Sequence, residues 1–368
     1  MKITIHSKYY LISGNRLLLS RNYLRLFRSF RNVKGLVYLI RGKQEEDILM
    51  KIVVLERTVL GDDISCDRLE QLGEVIYYAN TKYEDIGERL QDADVALINR
   101  SPMEEETLKH VKNLKLVCVT ATGVNPIDQD YMKKRGIPVT NVRNYSTYSV
   151  CQHTFAMLFY VLEHLRYFDD YVKEGQYIQH KKQTYMSHKF TQLAGKTYGI
   201  CGLGAIGKQV AKVAEAFGAK VIYYSTSGRN SCPDYERVSF DELLKQSDII
   251  SIHAPLTEQS KGLFNKEAFE KMKQTAIILN TGRGAIIDDK ALCYALQEKK
   301  IAAAALDVLA EEPMPVDHPL LSIQDSSRLF ITPHIAWSSK EARQTVIDEV
   351  CTTIEAFMDG NIRNLIWE

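Results

Sequence analysis

Three polar side chains in this chain each lie just past a short apolar run, and together they suit the reduction of a keto acid. They are Arg283 in Asn280-Thr281-Gly282-Arg283-Gly284, Glu312 in Leu306-Asp307-Val308-Leu309-Ala310-Glu311-Glu312-Pro313, and His334 in Thr332-Pro333-His334-Ile335-Ala336-Trp337. An arginine can hold a carboxylate or polarise a carbonyl, a histidine can give a proton, and a glutamate can keep that imidazole charged and oriented. Taken singly, Arg283 reads as a surface ion pair, Glu312 as solvated and His334 as a helix cap. Their shared position at successive strand ends favours one site, because open α/β sheets bind ligands outside the carboxyl ends of their strands.

Upstream lies Gly202-Leu203-Gly204-Ala205-Ile206-Gly207, which follows the strand pattern Tyr198-Gly199-Ile200-Cys201. It opens a helix whose apolar face would be Ile206, Val210, Val213, Ala214 and Phe217. Gly202 permits the tight turn, Gly204 the approach of a pyrophosphate, and Gly207 the helix-on-strand contact. The N–H groups that open the helix, at Ala205 and Ile206, would face the phosphates. About 20 residues on, a carboxylate would be expected to bind the ribose hydroxyls of NAD. The chain instead has Tyr224-Ser225-Thr226-Ser227-Gly228-Arg229, with no acid. Hydroxyls at Ser225 and Thr226 with Arg229 nearby can bind a 2′-phosphate, so the cofactor is expected to be NAD(P)H with NADPH favoured over NADH.

These segments need elements to position them. Apolar runs at 52–55, 75–78, 95–98 and 116–120 read as strands, with helical spacing between them, for example at 64–72 and 107–114. After an apolar stretch at 150–165 a second series follows, at 197–201, 221–224, 249–253, 276–280, 302–306 and 329–332. Ala342, Val346, Val350, Ile354 and Phe357 then recur at helical spacing. Strands alternating with helices mean parallel layers. The expected fold class is α/β, with two doubly wound parallel-sheet domains. A Rossmann cofactor domain, residues 150–337, would be inserted into a flavodoxin-like substrate domain made of residues 50–149 and 338–368.

Composition narrows the class further. At 368 residues, 45% hydrophobic and 25% charged, with a net charge of +1, the chain suits a globular protein of about two domains. It gives no reason to expect a nucleic-acid partner, and no run approaches the ~18 apolar residues of a membrane span. Seven cysteines occur singly and no His, Cys, Asp or Glu cluster has ligand spacing, so neither a metal nor a disulfide scaffold is expected. A reducing, cytoplasmic compartment follows. Residues 1–49 hold ten basic and three acidic side chains, against 37 and 43 in the rest. An Arg-rich targeting peptide would explain this leader; an upstream start codon, with Met50 opening the first strand, explains it more simply.

From Met50 onward the chain resembles the D-isomer-specific 2-hydroxyacid dehydrogenases. The resemblance rests on the glycine-rich loop, on Ser251-Ile252-His253-Ala254-Pro255-Leu256-Thr257, and on the segment from Met272 to Asp288. It places the catalytic Arg, Glu and His on Arg283, Glu312 and His334. His334 would protonate the keto oxygen while hydride arrives from nicotinamide. It also implies that Asp307 contacts the carboxamide and that backbone near Thr122 and Gly123 receives the substrate carboxylate, with Arg100 assisting. His253, Pro255, Thr281 and Gly282 would border the cofactor, His253 at the adenine edge or in a strand-end hydrogen bond.

Asn144-Tyr145-Ser146-Thr147-Tyr148-Ser149-Val150 and His334-Ile335-Ala336-Trp337 are similar to the glycerate dehydrogenase, or hydroxypyruvate reductase, branch. Phosphoglycerate dehydrogenases usually carry a small residue in place of Trp337. The implied activity is reduction of hydroxypyruvate or glyoxylate. Alternatives are a related phosphoglycerate or D-lactate dehydrogenase, or a non-catalytic dinucleotide sensor like the family's corepressors. With the apolar face at 150–165, the resemblance suggests a homodimer. His153 reads as a core or interface residue, and His164, His180 and His188 as solvated.

Overall fold

The computed structural model describes residues 50–229 and 231–367, so both readings of the basic leader fall outside the described residues. The first strands are β1 (Lys51–Val54), β2 (Glu74–Tyr77), β3 (Val95–Ile98), β4 (Leu116–Val119) and β5 (Val139–Asn141). Then come β6 (Thr197–Cys201), β7 (Lys220–Tyr224), β8 (Glu236–Arg237) and β9 (Ile249–Ile252). The series closes with β10 (Ile277–Asn280), β11 (Ala303–Leu306) and β12 (Leu329–Ile331). They form a five-stranded sheet, β2-β1-β3-β4-β5, and a seven-stranded sheet, β12-β11-β10-β9-β6-β7-β8. Every neighbouring pair is parallel. The first order is that of flavodoxin-like sheets and the second that of dinucleotide-binding sheets. Central strands such as β3, β9 and β10 are buried along their whole length, which is why they read as unbroken apolar runs.

β5 and β8 were not anticipated. One has three residues with Thr and Asn among them, and the other is a charged pair, Glu236 and Arg237. The helices expected over 64–72 and 107–114 are single turns, Asp67–Glu70 and Glu105–Leu108. In the second case the Arg135 guanidinium donates to the carbonyls of Leu108 and Val111, which a continuing helix would need for itself.

The helix Thr147–Leu162 buries Val150, Phe155, Met157, Leu158 and Val161. They pack against Tyr198, Ile200, Ile277 and Leu279 of the seven-stranded sheet. The apolar face taken as a dimer surface is therefore interior. Exposed apolar side chains instead follow it in the chain, at Leu165, Val172, Tyr177, Ile178, Met186 and Phe190. The reading of three solvated histidines is corrected in the same region. His164 has a buried Nδ1, and His180 and His188 lie against Tyr185 and Tyr167, with ring centroids 4.8 and 3.7 Å apart.

The last helix, Lys340–Met358, returns the chain to the first sheet. Val346, Ile347, Val350, Cys351 and Ile354 pack beneath Ile52, Val54, Leu97 and Leu116. The two crossings of the chain between the sheets lie side by side. Ser149 Oγ donates to the carbonyl of Ala336 at 2.6 Å and accepts from the N–H of Ser339 at 3.3 Å.

Ile347 is 0% exposed in that layer. Ile347→Ala should lower the unfolding free energy by about 2–5 kcal/mol in a urea titration. A loss under about 1 kcal/mol would show that this helix does not close the core.

Candidate active site

The glycine-rich loop divides its work among its glycines. Gly202 has φ +96°, and a Cβ there would sit 2.7 Å from the backbone of Ala254, so only glycine fits. A Cβ at Gly207 would strike the carbonyl of Gly202, which lets the helix start close on its strand. Gly204 faces open space with nothing within 4 Å. It is the N-cap of the helix Ala205–Ala216 and no side chain caps that end. The first N–H groups at Ala205 and Ile206 thus lack helical partners. A clear approach over Gly204 to uncapped N–H groups fits a dinucleotide pyrophosphate. Along the helix Val210 and Ala214 are buried as expected, whereas Phe217 is 47% exposed and packs edge-on to Phe159.

At the end of β7 the Ser225 side chain is 4% exposed and its Oγ has no hydrogen-bond partner among the described residues. Thr226 is half-buried, Arg229 is exposed and its N–H donates to Ser227 Oγ. The β7–β8 pairing adds a residue the sequence did not single out. Arg237 Nη2 lies 3.7 Å from where a Gly228 Cβ would stand, so its guanidinium flanks the turn.

His334 and Glu312 form the central pair, Nδ1 to Oε2 at 2.7 Å. Burial alone would raise the Glu312 carboxyl. The hydrogen bond from His334, the Leu309 N–H at 3.0 Å and the charges of His334 and Arg100 together hold it below the usual carboxylate value. With Nδ1 engaged, Nε2 is the His334 ring nitrogen without a partner among the described residues, and the side chain is 31% exposed. Its backbone is in the left-handed region, φ +56°, and the surroundings enforce that. Its N–H donates to the carbonyls of Asp307 and Thr332, and the His334 carbonyl accepts from Trp337 Nε1 at 3.0 Å.

Asp307 is 2% exposed, with both oxygens taken. It accepts from Thr332 Oγ1 at 2.6 Å and from the N–H groups of Ile335 and Ala336 at 2.8 and 2.9 Å. Its carboxylate thus faces the turn that carries His334. His153 Nε2 meets Thr332 Oγ1 at 3.0 Å behind it, and burial, opposed by the charge of Asp307, lowers the His153 pKa.

Arg283 is fixed by Asn280, which the sequence reading did not single out. The Asn280 side chain donates to the Arg283 carbonyl and accepts from the Gly282 N–H, both at 3.0 Å. The guanidinium donates to the Gly282 carbonyl at 2.8 Å and lies 2.6 Å from where a Gly123 Cβ would stand. That contact brings the first sheet's loop to the second sheet's arginine. Thr122 Oγ1 donates to the Val142 carbonyl at 2.8 Å, leaving the Thr122–Gly123 backbone at the surface. Arg100, exposed at the end of β3, is close enough for its charge to act on Glu312. The Tyr145 ring stands edge-on to Trp337 at 6.3 Å, and burial pushes its phenol up to about 12 against the pull of Arg283.

His253 lies behind this group. Its ring nitrogens meet Ser251 Oγ at 3.0 Å and Thr281 Oγ1 at 3.1 Å, and burial pushes it down to about 3. It is a neutral strand-end bracket that connects Thr281 to the sheet. Pro255 is exposed, its carbonyl accepting from Ser260 Oγ at 2.8 Å. Among the described residues no three His, Cys, Asp or Glu side chains converge as a metal would require.

Residues 155–336 match the family model described as "D-isomer specific 2-hydroxyacid dehydrogenase, NAD binding domain". The chain is 39% identical to a glycerate dehydrogenase of Methylorubrum extorquens over 283 residues, 77% of this chain and 88% of that one. It is also 39% identical to a hydroxypyruvate reductase of Blautia hydrogenotrophica over 324 residues, 86% and 99% of the two chains. Among solved structures, D-lactate dehydrogenase from Aquifex aeolicus, complexed with NAD and lactic acid, superposes with a TM-score of 0.73 at 29% identity. That match covers 84% of this chain and 96% of the other.

The glycine geometry separates binding from folding. Gly204→Val should leave the melting temperature near wild type while weakening reduced-dinucleotide binding, followed by nicotinamide fluorescence, at least about tenfold. Gly207→Val should destabilise the whole domain. Equal loss of stability in both would contradict the division.

Proposed function

The chain belongs to the D-isomer-specific 2-hydroxyacid dehydrogenase family, in its glycerate dehydrogenase and hydroxypyruvate reductase branch, and we propose that it reduces hydroxypyruvate and glyoxylate through Arg283, Glu312 and His334. It is an NAD(P)-dependent oxidoreductase of small 2-keto and 2-hydroxy acids. The observation that carries the residue assignment is the 2.7 Å His334–Glu312 pair beside an arginine that meets the opposite sheet at Gly123. The same formed pair weighs against a purely sensing role.

The Gly202–Gly207 loop and the opening N–H groups of its helix would hold a nicotinamide dinucleotide, which supplies the hydride when bound. Arg283 and the Thr122–Gly123 backbone hold the substrate carboxylate and turn the keto carbonyl toward His334. Glu312 accepts from Nδ1–H of the imidazolium and orients the ring, so Nε2–H donates to the keto oxygen as negative charge develops there. His334 ends the reduction neutral and regains its proton from solvent; oxidation runs the same transfers in reverse.

For the cofactor we favour NADPH over NADH. No carboxylate stands at Ser225-Thr226-Ser227 to repel a 2′-phosphate, and Arg229 and Arg237 supply positive charge. We also propose a homodimer formed through the exposed apolar set from Leu165 to Phe190, since a patch of that kind is expected to be covered. Seven free cysteines, six of them buried, suit a reducing cytoplasmic compartment. Among the described residues no helix is long and apolar enough to cross a membrane.

Purified protein should oxidise NADPH with hydroxypyruvate, with a higher specificity constant than for NADH; equal constants would refute the cofactor preference. His334→Ala should cut turnover by about 10²–10⁴, and unchanged turnover would remove it as the acid. Glu312→Gln should lower turnover more than it raises the Michaelis constant for hydroxypyruvate, because the amide no longer holds the ring of the acid by Nδ1; an unchanged turnover would remove Glu312 as the group that orients it. Light scattering should give twice the chain mass, and Ile178→Lys with Met186→Lys should return it to one.

A further inference from the structure

Two residues past β1, the carboxylate of Glu56 collects three hydrogen bonds from the loop that follows β3. The N–H of Asn99 donates to Oε2 at 2.7 Å. The N–H of Arg100 and the hydroxyl of Ser101 donate to Oε1 at 3.0 and 2.8 Å. Asn99 extends the link to the next strand, its Nδ2 donating to Thr120 Oγ1 at 3.1 Å. The loops after β1, β3 and β4 are thus tied into one arc on the carboxyl edge of the first sheet. Arg100 is its exposed member, and among the described residues its guanidinium makes no ion pair. A carboxylate is suited to this task because it only accepts, offering both oxygens to donors converging from one loop.

We propose that Glu56 is a positioning residue that aims Arg100 into the cleft as a second cation for the substrate carboxylate, opposite Arg283. The proposal rests on the 2-keto acid reading of the site and deepens it. Glu56 touches neither substrate nor cofactor. It fixes the backbone from which Arg100 reaches, so that the anionic substrate meets positive charge from both sheets.

Glu56→Gln tests this directly. The amide replaces one accepting oxygen with a donor that faces an N–H, so one bond is lost and two donors are opposed. The Michaelis constant for hydroxypyruvate should rise about tenfold. Turnover should stay within about threefold of wild type, and the Michaelis constant for NADPH should not move. Arg100→Ala should raise the same constant, and adding Glu56→Gln to it should raise it little further, because both act through one side chain. A merely structural Glu56 would reduce turnover, cofactor affinity and stability together, and its effect would add to that of Arg100→Ala. Should Glu56→Gln fail to fold, Ser101→Ala removes one of the three bonds, with an expected rise of about threefold. A Glu56→Gln enzyme with the wild-type constant, or additive effects in the double variant, overturns the proposal and leaves the family reading standing. A wild-type protein inert toward 2-keto acids overturns both.

Discussion

A carboxylate taken out of water must have its lone pairs filled, and Asp307 fills them with the turn that carries His334. The desolvation cost of such a group is several kcal/mol, and its three hydrogen bonds offset that cost only while the turn keeps this conformation. The contribution of Asp307 is position. A histidine in the left-handed region costs on the order of 1–3 kcal/mol, and bonds to both Ile335 and Ala336 N–H leave the turn no other way to run. The imidazole is thereby held where Glu312 reaches its Nδ1.

The remaining architecture serves to bring a second edge to that turn. Both sheets are parallel throughout, so all their carboxyl ends present loops on one edge, and the chain crosses between them at two adjacent points joined by Ser149. Loops after β3 and β4 carry Arg100 and Gly123, and loops after β10, β11 and β12 carry Arg283, Glu312 and His334. Gly284 is part of the reason the last set fits together. A Cβ there would overlap the backbone of Leu309, so only glycine lets the Arg283 turn lie against the loop that carries Glu312.

What could be read in the sequence follows from how local each signal is. The Gly202–Gly207 loop, the strand ends and the three catalytic-type residues declare themselves within a few residues, because turn chemistry and apolar runs are short-range. Glu56 and Arg237 do not, since each acquires meaning only from a segment further along the chain that pairs with it; Asn280 bonds only its own turn, where its role depends on the turn's conformation and not on residue type or spacing. Asp307 was singled out, but that it ties down the His334 turn was not legible, because its donors come from a loop 28 residues on. The apolar stripe of Thr147–Leu162 announced burial without saying against what, and the seven-stranded sheet claimed it. Helical spacing at 107–114 was outweighed by one guanidinium, Arg135, bonding the carbonyls from outside.

The distribution of charge explains why these residues make a site for an anion and not a closed ionic cluster. An arginine, a glutamate and a histidine brought together would ordinarily neutralise one another, with Arg283 taking Glu312 in a bidentate pair. That pairing is blocked because Glu312 is already committed to His334 at 2.7 Å and to the Leu309 N–H at 3.0 Å. Arg283 is left with the carbonyl of Gly282 and, among the described residues, no carboxylate. A guanidinium held half-buried without a counter-charge is poorly compensated until an anion arrives. In the function proposed above, that anion is the carboxylate of a 2-keto acid, and binding it would set which of its atoms lies toward His334. Committing the glutamate to the histidine thus leaves the arginine without a carboxylate of the protein's own, as its proposed role toward the substrate requires.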